Sequence, residues 1–263
     1  MSNFTDWAEN EVCRLFAGGA ASFPASLSVA LCASAGDAGF SDVAGLSRVD
    51  VARNLSSWSG TQGAGTTTAS TGTSRSISNN SELDFGEAGE SVTANAVGIY
   101  SGENPLAYVP MNSPMTINAG DAVKIGAGEI ILTISTVGGL THFACNKLLD
   151  LIFRGQAYAF PATYKIGLFV VAPTLAGGGT EASGTGYARA DLSAWTAPSG
   201  GTISNASQIQ FNAPQSTWGT IEAGALFSGG DMIFTAGFSE AKTIVAGAGA
   251  PKFAAGAIVL TVQ

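Results

Sequence analysis

The second half of this chain repeats the first, and this duplication limits the possible folds more than any other feature. Two of the matched pairs are Leu15-Phe16-Ala17-Gly18 with Ile152-Phe153-Arg154-Gly155, and Phe23-Pro24-Ala25 with Phe160-Pro161-Ala162. Further matches follow in the same order and end in two apolar segments, 130–134 and 258–262. Chance similarity between Gly-rich segments explains one or two such matches but not an ordered series. The sequence therefore predicts two homologous domains, 1–136 and 141–263, joined at Thr136–Leu140.

Each copy opens with the pattern of an amphipathic helix. In the first copy Thr5 is the predicted N-cap, Gly18 the stop, and the apolar stripe is Phe4, Ala8, Val12, Leu15 and Phe16. In the second copy Thr141 is the predicted N-cap, Gly155 the stop, and the stripe is Leu148, Leu149, Ile152 and Phe153. Asn146 and Lys147 are predicted to lie on the opposite face of the second helix.

After each helix the apolar residues recur with the period of two that indicates a half-buried strand. The alternating sets are Leu27, Val29 and Leu31 in the first copy, and Tyr164, Ile166, Leu168 and Val170 in the second. Only 11% of the residues are charged and 35 are glycine, which favours short strands and tight turns over long solvated helices. The predicted fold class is mainly β: two similar antiparallel β-sandwich or barrel domains, each with one N-terminal helix.

One polar segment, Thr61–Ser76, has neither helical nor strand periodicity. It is predicted to be either a disordered loop or an arm that becomes ordered only against a partner.

The charge balance argues against nucleic acid as a partner. The formal net charge is -8, the 11 basic residues are scattered singly, and no basic stripe is present to follow a phosphate backbone. No apolar run approaches the length of a membrane span, and the first residues lack the pattern of a signal peptide. The odd and widely spaced cysteines, Cys13, Cys32 and Cys145, are predicted to be buried free thiols, which suits assembly in a reducing cytoplasm.

The sequence predicts no catalytic residue, no cofactor-binding residue and no metal ligand, and we do not expect an enzyme. His142 is the single histidine, and a polar or capping role at the second helix suits it better than a base or ligand. The glycines at 177–179 are not followed by a Gly-Lys-Ser/Thr phosphate loop. Trp58, Trp195 and Trp218 lie near Gly/Ser/Thr-rich stretches, where they are predicted to anchor the core, with a sugar-binding platform as the alternative.

The motifs of the second copy resemble a family of small tailed-phage virion proteins, known as tail fibre proteins or as capsid cement (decoration) proteins. The resemblance rests on Asn146-Lys147-Leu148-Leu149-Asp150, on Thr180-Glu181 followed by Gly186-Tyr187-Ala188-Arg189, and on Trp218-Gly219-Thr220. It covers nearly all of the second copy. It implies a structural protein without cofactor or catalytic residues.

The structural motif that carries the resemblance consists of Glu181, Gly186, Tyr187, Arg189, Trp218 and Gly219. Glu181 and Arg189 are predicted to form an ion pair that anchors a loop. The first copy departs from the motif: Val51-Ala52-Arg53 stands for the Tyr-Ala-Arg block, and Ser91-Val92-Thr93 for Trp-Gly-Thr. The first copy is therefore expected to keep the fold and to present a different surface.

The function favoured by the sequence is capsid decoration: binding to the outer surface of the major capsid protein lattice and stabilisation of the phage head. The expected partners are the major capsid protein and further copies of the chain, as a dimer or trimer, with no nucleic acid and no membrane. The expected location is the capsid exterior of the virion, after assembly in the host cytoplasm. The alternative is a tail fibre or baseplate component that contacts a host receptor; the lack of coiled-coil heptads and Gly-X-Y repeats argues against a fibre stalk.

Overall fold

A computed structural model describes residues 3–20, 23–134 and 139–262. The first repeat (3–134) contains α1 (Asp6–Phe16), β1 (Ser26–Gly36), β2 (Gly39–Asp42), β3 (Val49–Ala52), β4 (Ser76–Ser78), β5 (Leu83–Glu87), β6 (Val92–Ser101), β7 (Asn104–Ile117), β8 (Ala122–Ile125) and β9 (Ile131–Thr133). The second repeat (139–262) contains α2 (His142–Phe153), β10 (Tyr164–Val171), β11 (Thr180–Glu181), β12 (Ala190–Leu192), β13 (Thr202–Ser204), β14 (Ile209–Gln210), β15 (Gly219–Ser228), β16 (Asp231–Ile244), β17 (Lys252–Phe253) and β18 (Val259–Thr261). Part of the predicted joint, including Thr136, lies outside the described residues.

The two repeats have the same topology. The first has a five-stranded antiparallel sheet in the order β2-β1-β6-β7 with β3 also paired to β1, and the second has β11-β10-β15-β16 with β12 paired to β10. Two shorter ladders accompany each sheet, β4–β9 with β5–β8 and β13–β18 with β14–β17, and their inward side chains join the same core. The predicted fold class, two similar antiparallel β-domains with one helix each, is confirmed.

Both helices begin and end as the sequence predicts. The Thr5 Oγ1 atom accepts a hydrogen bond from the Ala8 backbone N–H at 3.3 Å, and Thr141 Oγ1 accepts one from Ala144 at 3.2 Å. Past each C-terminus the chain turns through a glycine with positive φ, 83° at Gly18 and 64° at Gly155.

The predicted apolar stripes are buried in both helices. Asn146, which was predicted to lie on the face opposite the stripe, is also buried and only 5% exposed. A segment of the first repeat covers it, which periodicity along the helix could not reveal.

The buried side chains of the two repeats form one continuous cluster rather than two separate cores. Aromatic contacts join the halves directly: Phe4 stacks on Phe153 with ring centroids 6.4 Å apart, and Trp58 lies 5.3 Å from the same ring. Phe16 also meets Phe160 edge-to-face at 4.8 Å. The two repeats therefore share one hydrophobic core.

Each helix lies at the seam between the repeats. Helix α1 packs on β7 of its own repeat and on β13 of the other, while α2 packs on β16 and on β4. Five residues after each N-cap stands an asparagine that contacts the opposite repeat. Asn10 Oδ1 accepts a hydrogen bond from Gly201 N at 3.1 Å, and Asn146 Nδ2 donates to the Gly72 carbonyl at 3.1 Å. The seam therefore has approximate two-fold symmetry.

The polar segment Thr61–Ser76 lies against helix α2 of the second repeat. Neither predicted alternative describes this arrangement, because the segment is ordered against the other half of the same chain rather than against a partner. Its anchor is Arg154, which is fully buried. The Arg154 guanidinium donates to the carbonyls of Trp58, Thr66 and Thr68, at 3.1, 3.0 and 2.6 Å, and to Ser70 Oγ at 3.0 Å.

The charge of Arg154 is balanced by Asp150, one helical turn earlier. Arg154 Nη1 donates to Asp150 Oδ1 at 2.7 Å, and the Ser70 backbone N–H donates to Asp150 Oδ2, also at 2.7 Å. All five guanidinium N–H groups therefore have acceptors, as a fully buried arginine requires. Gly60 permits this approach, because a Cβ there would lie 2.8 Å from Arg154 Nη1.

The reverse contact is built differently. The C-cap position that Arg154 holds in α2 is occupied by Ala17 in α1. The second repeat has only a short loop, 196–201, where the first has the long arm, and Gly201 of that loop packs on α1. Within the described residues, the contact between an arm and a buried arginine is therefore made by the arm of the first repeat with Arg154 of the second, and the reverse contact lacks both.

We predict that Arg154→Met lowers the free energy of unfolding by about 3–5 kcal/mol, because Asp150 then remains buried without its cation. Denaturant unfolding of the full chain measures this loss, and hydrogen exchange of residues 61–74 reports release of the arm. Lys165→Met is the matched control, since Lys165 pairs with Asp191 at the surface, where the side chains are 50% and 58% exposed. Its expected cost is below about 1 kcal/mol. Equal losses for the two variants would contradict this account of the arm.

Glu9, in the middle of α1, is the acidic group most perturbed by the seam. Its side chain lies against Gly201, where a Cβ would come within 2.7 Å of Glu9 Oε2. Burial, followed by the charges of Asp37 and Asp6, raises the pKa of Glu9 to about 7. Because this folded-state pKa lies above the unfolded value, the protonated form stabilises the fold, and this contribution is lost as pH rises through 7.

We predict that Glu9→Gln stabilises the chain at pH 8 by roughly 1–3 kcal/mol and changes little at pH 4. Denaturant unfolding at several pH values checks this, with Glu11→Gln on the same helix as the control. A variant whose stability falls in parallel with that of the wild type above pH 6 would show that Glu9 is not the responsible group.

Candidate functional site

The motif residues of the second repeat meet in one cluster beside the central strand β10. Glu181 Oε1 accepts hydrogen bonds from Arg189 Nε at 2.9 Å and from the Tyr187 hydroxyl at 2.8 Å, and Arg189 Nη2 donates to Glu181 Oε2 at 2.8 Å. The ion pair expected between Glu181 and Arg189 is therefore present. The Tyr187 hydroxyl also accepts from the Leu168 backbone N–H at 2.9 Å, which ties the cluster to β10.

Aromatic rings complete the cluster. The Arg189 guanidinium lies over the Phe227 ring, 3.4 Å from its centroid, and Tyr187 meets Trp218 edge-to-face at 5.2 Å. Trp218 is 3% exposed and its indole N–H donates to the Thr185 carbonyl at 3.4 Å. Trp218 is a core residue, as is Trp58, in agreement with the predicted anchoring role.

Two glycines of the motif are required by close approach of the backbone. Gly186 has a φ of +88°, and a Cβ there would lie 2.7 Å from the Ala213 carbonyl oxygen. Gly219 has a φ of +103°, and a Cβ would lie 3.0 Å from Val170 Cγ1. Gly186 therefore brings its loop close to Ala213, and Gly219 brings the start of β15 close to β10.

Glu181 remains ionised in this environment. Burial alone raises its pKa, but the hydrogen bonds from Arg189 and Tyr187 and the charge of Arg189 together outweigh it, so that the pKa lies below its usual value. An ionised carboxylate held by two donors is suited to fixing a loop rather than to transferring protons.

The first repeat contains the same ion pair at positions that the sequence alignment missed. Asp42 pairs with Cys32 of β1, and Glu181 pairs with Phe169 of β10. Cys32 and Phe169 are equivalent positions of the two central strands, so Asp42 is the counterpart of Glu181. Arg48 Nε donates to Asp42 Oδ2 at 2.8 Å and its guanidinium lies 3.6 Å from the centroid of the Tyr100 ring. The counterpart of Arg189 is thus Arg48, and the alignment with Arg53 is wrong by five positions.

Residue identity aligns Val51-Ala52-Arg53 with the Tyr-Ala-Arg block, whereas the strand register aligns Val51 with Leu192. Arg53 instead crosses the seam, where Arg53 Nε donates to the Ile152 carbonyl at the end of α2 at 2.7 Å. The alignment of Ser91-Val92-Thr93 with Trp218-Gly219-Thr220 is correct, since Val92 pairs with Ile117 as Gly219 pairs with Ile244. The first repeat therefore keeps the ion pair and lacks the tryptophan.

The cluster offers packing and electrostatic support but no reactive centre. The three cysteines are buried and free, and burial raises the pKa of each thiol to about 12. Over residues 3–20, 23–134 and 139–262, no group of His, Cys, Asp and Glu residues is placed to hold a metal ion. In the same described ranges, neither helix is long and apolar enough to cross a membrane.

The residues that sequence reasoning missed are Asp150 and Arg154, together with the polar arm that encloses them. An Asp and an Arg four residues apart on a helix are common on exposed faces, so their spacing gave no sign of burial. Arg154 in place of Ala17 at the equivalent C-cap was the available signal, because the rest of the helix end is similar in the two copies.

Comparison with known families accounts for both repeats at once. The family described as Podophage GP4 fiber I protein gp80 matches residues 3–133 and again residues 139–261. The chain belongs to this family. No curated protein sequence matches it. The two gp80 matches coincide with the two repeats of the fold, and membership shows a structural phage virion protein that contains the family's unit twice.

Within the gp80 unit, the acid–arginine pair stacked on an aromatic ring is present in both repeats, as Asp42–Arg48 on Tyr100 and Glu181–Arg189 on Phe227. Its position beside the central strand indicates a role in holding the loop between that strand and its neighbour. The Tyr187–Trp218 contact occurs in the second repeat. In the first repeat Leu46 takes the place of Tyr187, and Ser91 takes the place of Trp218.

We predict that Glu181→Gln lowers the free energy of unfolding by about 1–2 kcal/mol, because the amide has one acceptor oxygen where the carboxylate has two, so one bond from Arg189 is lost and the other no longer joins opposite charges. The loss is expected at pH 7 and shrinks as pH falls below 4, because the depressed pKa of Glu181 stabilises the fold only while the carboxylate is ionised. Asp42→Asn should also lower the free energy of unfolding at pH 7, because it weakens the bond from Arg48 in the first repeat, and the exposed Glu222→Gln serves as control. If Glu181→Gln and Glu222→Gln unfold at the same denaturant concentration, the pair has no anchoring role.

Proposed function

We propose that this chain is a non-enzymatic component of a phage tail fibre apparatus, where it joins other virion proteins to a surface that contacts the host. The observation that carries the proposal is the match of both repeats to a fibre protein family. The match favours the tail fibre, whereas the sequence favoured the capsid because it contains no pattern of a fibre stalk. A fibre assembly also contains globular components, so the lack of heptads in one chain does not decide between the two positions.

The way the repeats are joined supports a role as a rigid connector. Buried side chains from both halves form a single core, and the arm residues 61–74 close over α2 through the Arg154 cluster. A chain built in this way keeps its two units in a fixed relation when force is applied to either. Such rigidity suits a connector between virion parts. Attachment at two fixed points adds avidity and avoids the entropy cost of ordering a flexible linker.

Equivalent apolar grooves on the two repeats supply surfaces for attachment to other virion subunits. The groove of the first repeat, about 590 Å³, lies between β7 and β9 and includes Met111, Met115 and Ile131. The groove of the second, about 490 Å³, includes Phe238, Phe253 and Val259. Ile131 and Val259 occupy the same register position and remain 55% and 48% exposed. A repeated exposed apolar position on a virion protein is consistent with contact between subunits, including self-association as a dimer or trimer.

The second candidate function is capsid decoration with the major capsid protein as partner, on the capsid exterior. The observation that favours it is the pairing of two equivalent repeats around one core within a single chain. The double unit would then span two neighbouring shell subunits.

Copy number in purified virions separates the two positions. We predict a handful of copies per particle, in a fixed ratio to tail proteins, measured by quantitative mass spectrometry against the major capsid protein as internal standard. Labelling with an antibody to the chain should mark the tail in electron micrographs. Hundreds of copies, with label over the head, would replace the fibre proposal by capsid decoration.

A further inference from the structure

The net charge of the chain lies entirely in its first repeat. Residues 1–136 contain 13 acidic and 5 basic side chains, whereas residues 137–263 contain 6 of each. The first half therefore carries the whole formal charge of -8, and the second half is neutral. Two units of the same fold with such different charges present complementary surfaces when they belong to neighbouring copies of the chain.

Several of these acidic residues lie together where β5 pairs with β8. Glu87 ends β5 and Glu90 follows it in the loop to β6, and the Ala88 backbone N–H between them donates to the Asp121 carbonyl at 3.0 Å. Glu87, Glu90 and Asp121 are all exposed. A Cβ at Gly89 would meet no atom within 4 Å, so the loop is open on that side. We call Glu87, Glu90 and Asp121 the acidic end of the first repeat.

The corresponding end of the second repeat carries lysines beside an apolar groove of about 450 Å³. The groove is lined by the half-buried rings of Phe238 and Phe253, whose centroids are 5.8 Å apart, and by the exposed Lys242 and Lys252. Within the described residues neither lysine forms an ion pair. Glu240 also lines the groove, and a single carboxylate offsets only one of the two cations. We call this surface the lysine groove.

The strand register shows why these lysines are unpaired. Lys124 and Lys252 are counterparts, because Lys124 pairs with Asp84 in one ladder and Lys252 pairs with Gln210 in the other. Asp84 Oδ2 lies 3.2 Å from Lys124 Nζ, whereas Gln210 carries no charge. The counterpart of Lys242 in the first repeat is a methionine. The second repeat has therefore gained one cation at this end and lost the acid that neutralises the other.

We propose that the acidic end of one copy docks in the lysine groove of a second copy, where Glu87 and Glu90 meet Lys242 and Lys252. One copy uses its first repeat and the other its second, so the contact is heterologous and builds rings or open chains rather than a two-fold dimer. The proposal assigns a surface to the self-association named under the proposed function, and it rests on that function for its setting in the virion.

A contact of this kind is weak and sensitive to salt. Exposed ion pairs contribute little individually, so we expect a Kd on the order of 10–100 μM at about 20 mM NaCl. Raising NaCl to about 500 mM shortens the Debye length from about 20 Å to about 4 Å and should raise the Kd about tenfold. Repetition of the contact among several copies in a virion would add avidity.

Sedimentation velocity of the full chain over a range of concentrations measures this association. Lys242→Glu/Lys252→Glu and Glu87→Lys/Glu90→Lys should each raise the Kd at least about tenfold, because each sets like charges against each other. An equimolar mixture of the two variants should associate within about threefold of the wild type, since every contact between unlike variants again joins opposite charges.

Asp50→Lys/Glu103→Lys is the matched control. It makes the same change of charge on exposed residues of the first repeat, near the opposite end of β6 from Glu90, and should associate like the wild type. Circular dichroism confirms beforehand that each variant is folded.

Three results would overturn the proposal: a wild type that stays monomeric at low salt, a mixture that associates as weakly as its separate components, or a control that loses association as the Glu87 and Glu90 variant does. A monomeric wild type would assign the lysine groove to a partner other than this chain. It would leave the fibre position intact, because that position depends on the copy number in the virion.

Discussion

The burial of Arg154 at the end of α2 is the constraint on which the joined structure depends. A guanidinium with no solvent contact needs a counter-charge and an acceptor for every N–H, and one helix can supply only part of that set. Asp150 supplies the charge, and the first repeat supplies the remaining acceptors: the carbonyls of Trp58, Thr66 and Thr68 and the hydroxyl of Ser70. The polar arm is ordered because it satisfies this group, and the two repeats are fixed together because the arm belongs to one and the arginine to the other.

This arrangement explains how a chain made of two similar units becomes asymmetric. Each helix lies on the opposite repeat, and each is met by an exposed loop with a glycine at the contact, Gly72 on α2 and Gly201 on α1. The long arm and its arginine occur on one side of the seam only. Pairing the first repeat with the second therefore satisfies both buried charges, Asp150 and Arg154. Two first repeats would have an arm but no arginine, and two second repeats would have an arginine but no arm.

The parts of the fold set by neighbouring residues were predictable. The helix limits followed from Thr5, Thr141 and the two stop glycines, because caps depend on a few adjacent residues. The strands followed from the period of two, and the duplication from the order of matches along the chain. Of the candidate site, the Glu181–Arg189 pair was predictable because both residues fall in one short block. Its counterpart Asp42–Arg48 was missed, since the residue identities around it differ and only the strand register shows the equivalence.

By itself, the sequence determined the fold class, the two-fold duplication, the ends of both helices and the kind of family to which the chain belongs, because these are recorded in local pattern and order. The tertiary structure alone decided that the repeats share a core, that the polar segment is an ordered arm, and that Asn146 is buried. The reason is distance along the chain: Arg154 is 96 residues from Trp58 and 84 from Ser70, and nothing near either end specifies the partner. The arm is ordered by hydrogen bonds to the buried Arg154 guanidinium, which offset the cost of desolvating its charge, and these groups meet only after both repeats have folded.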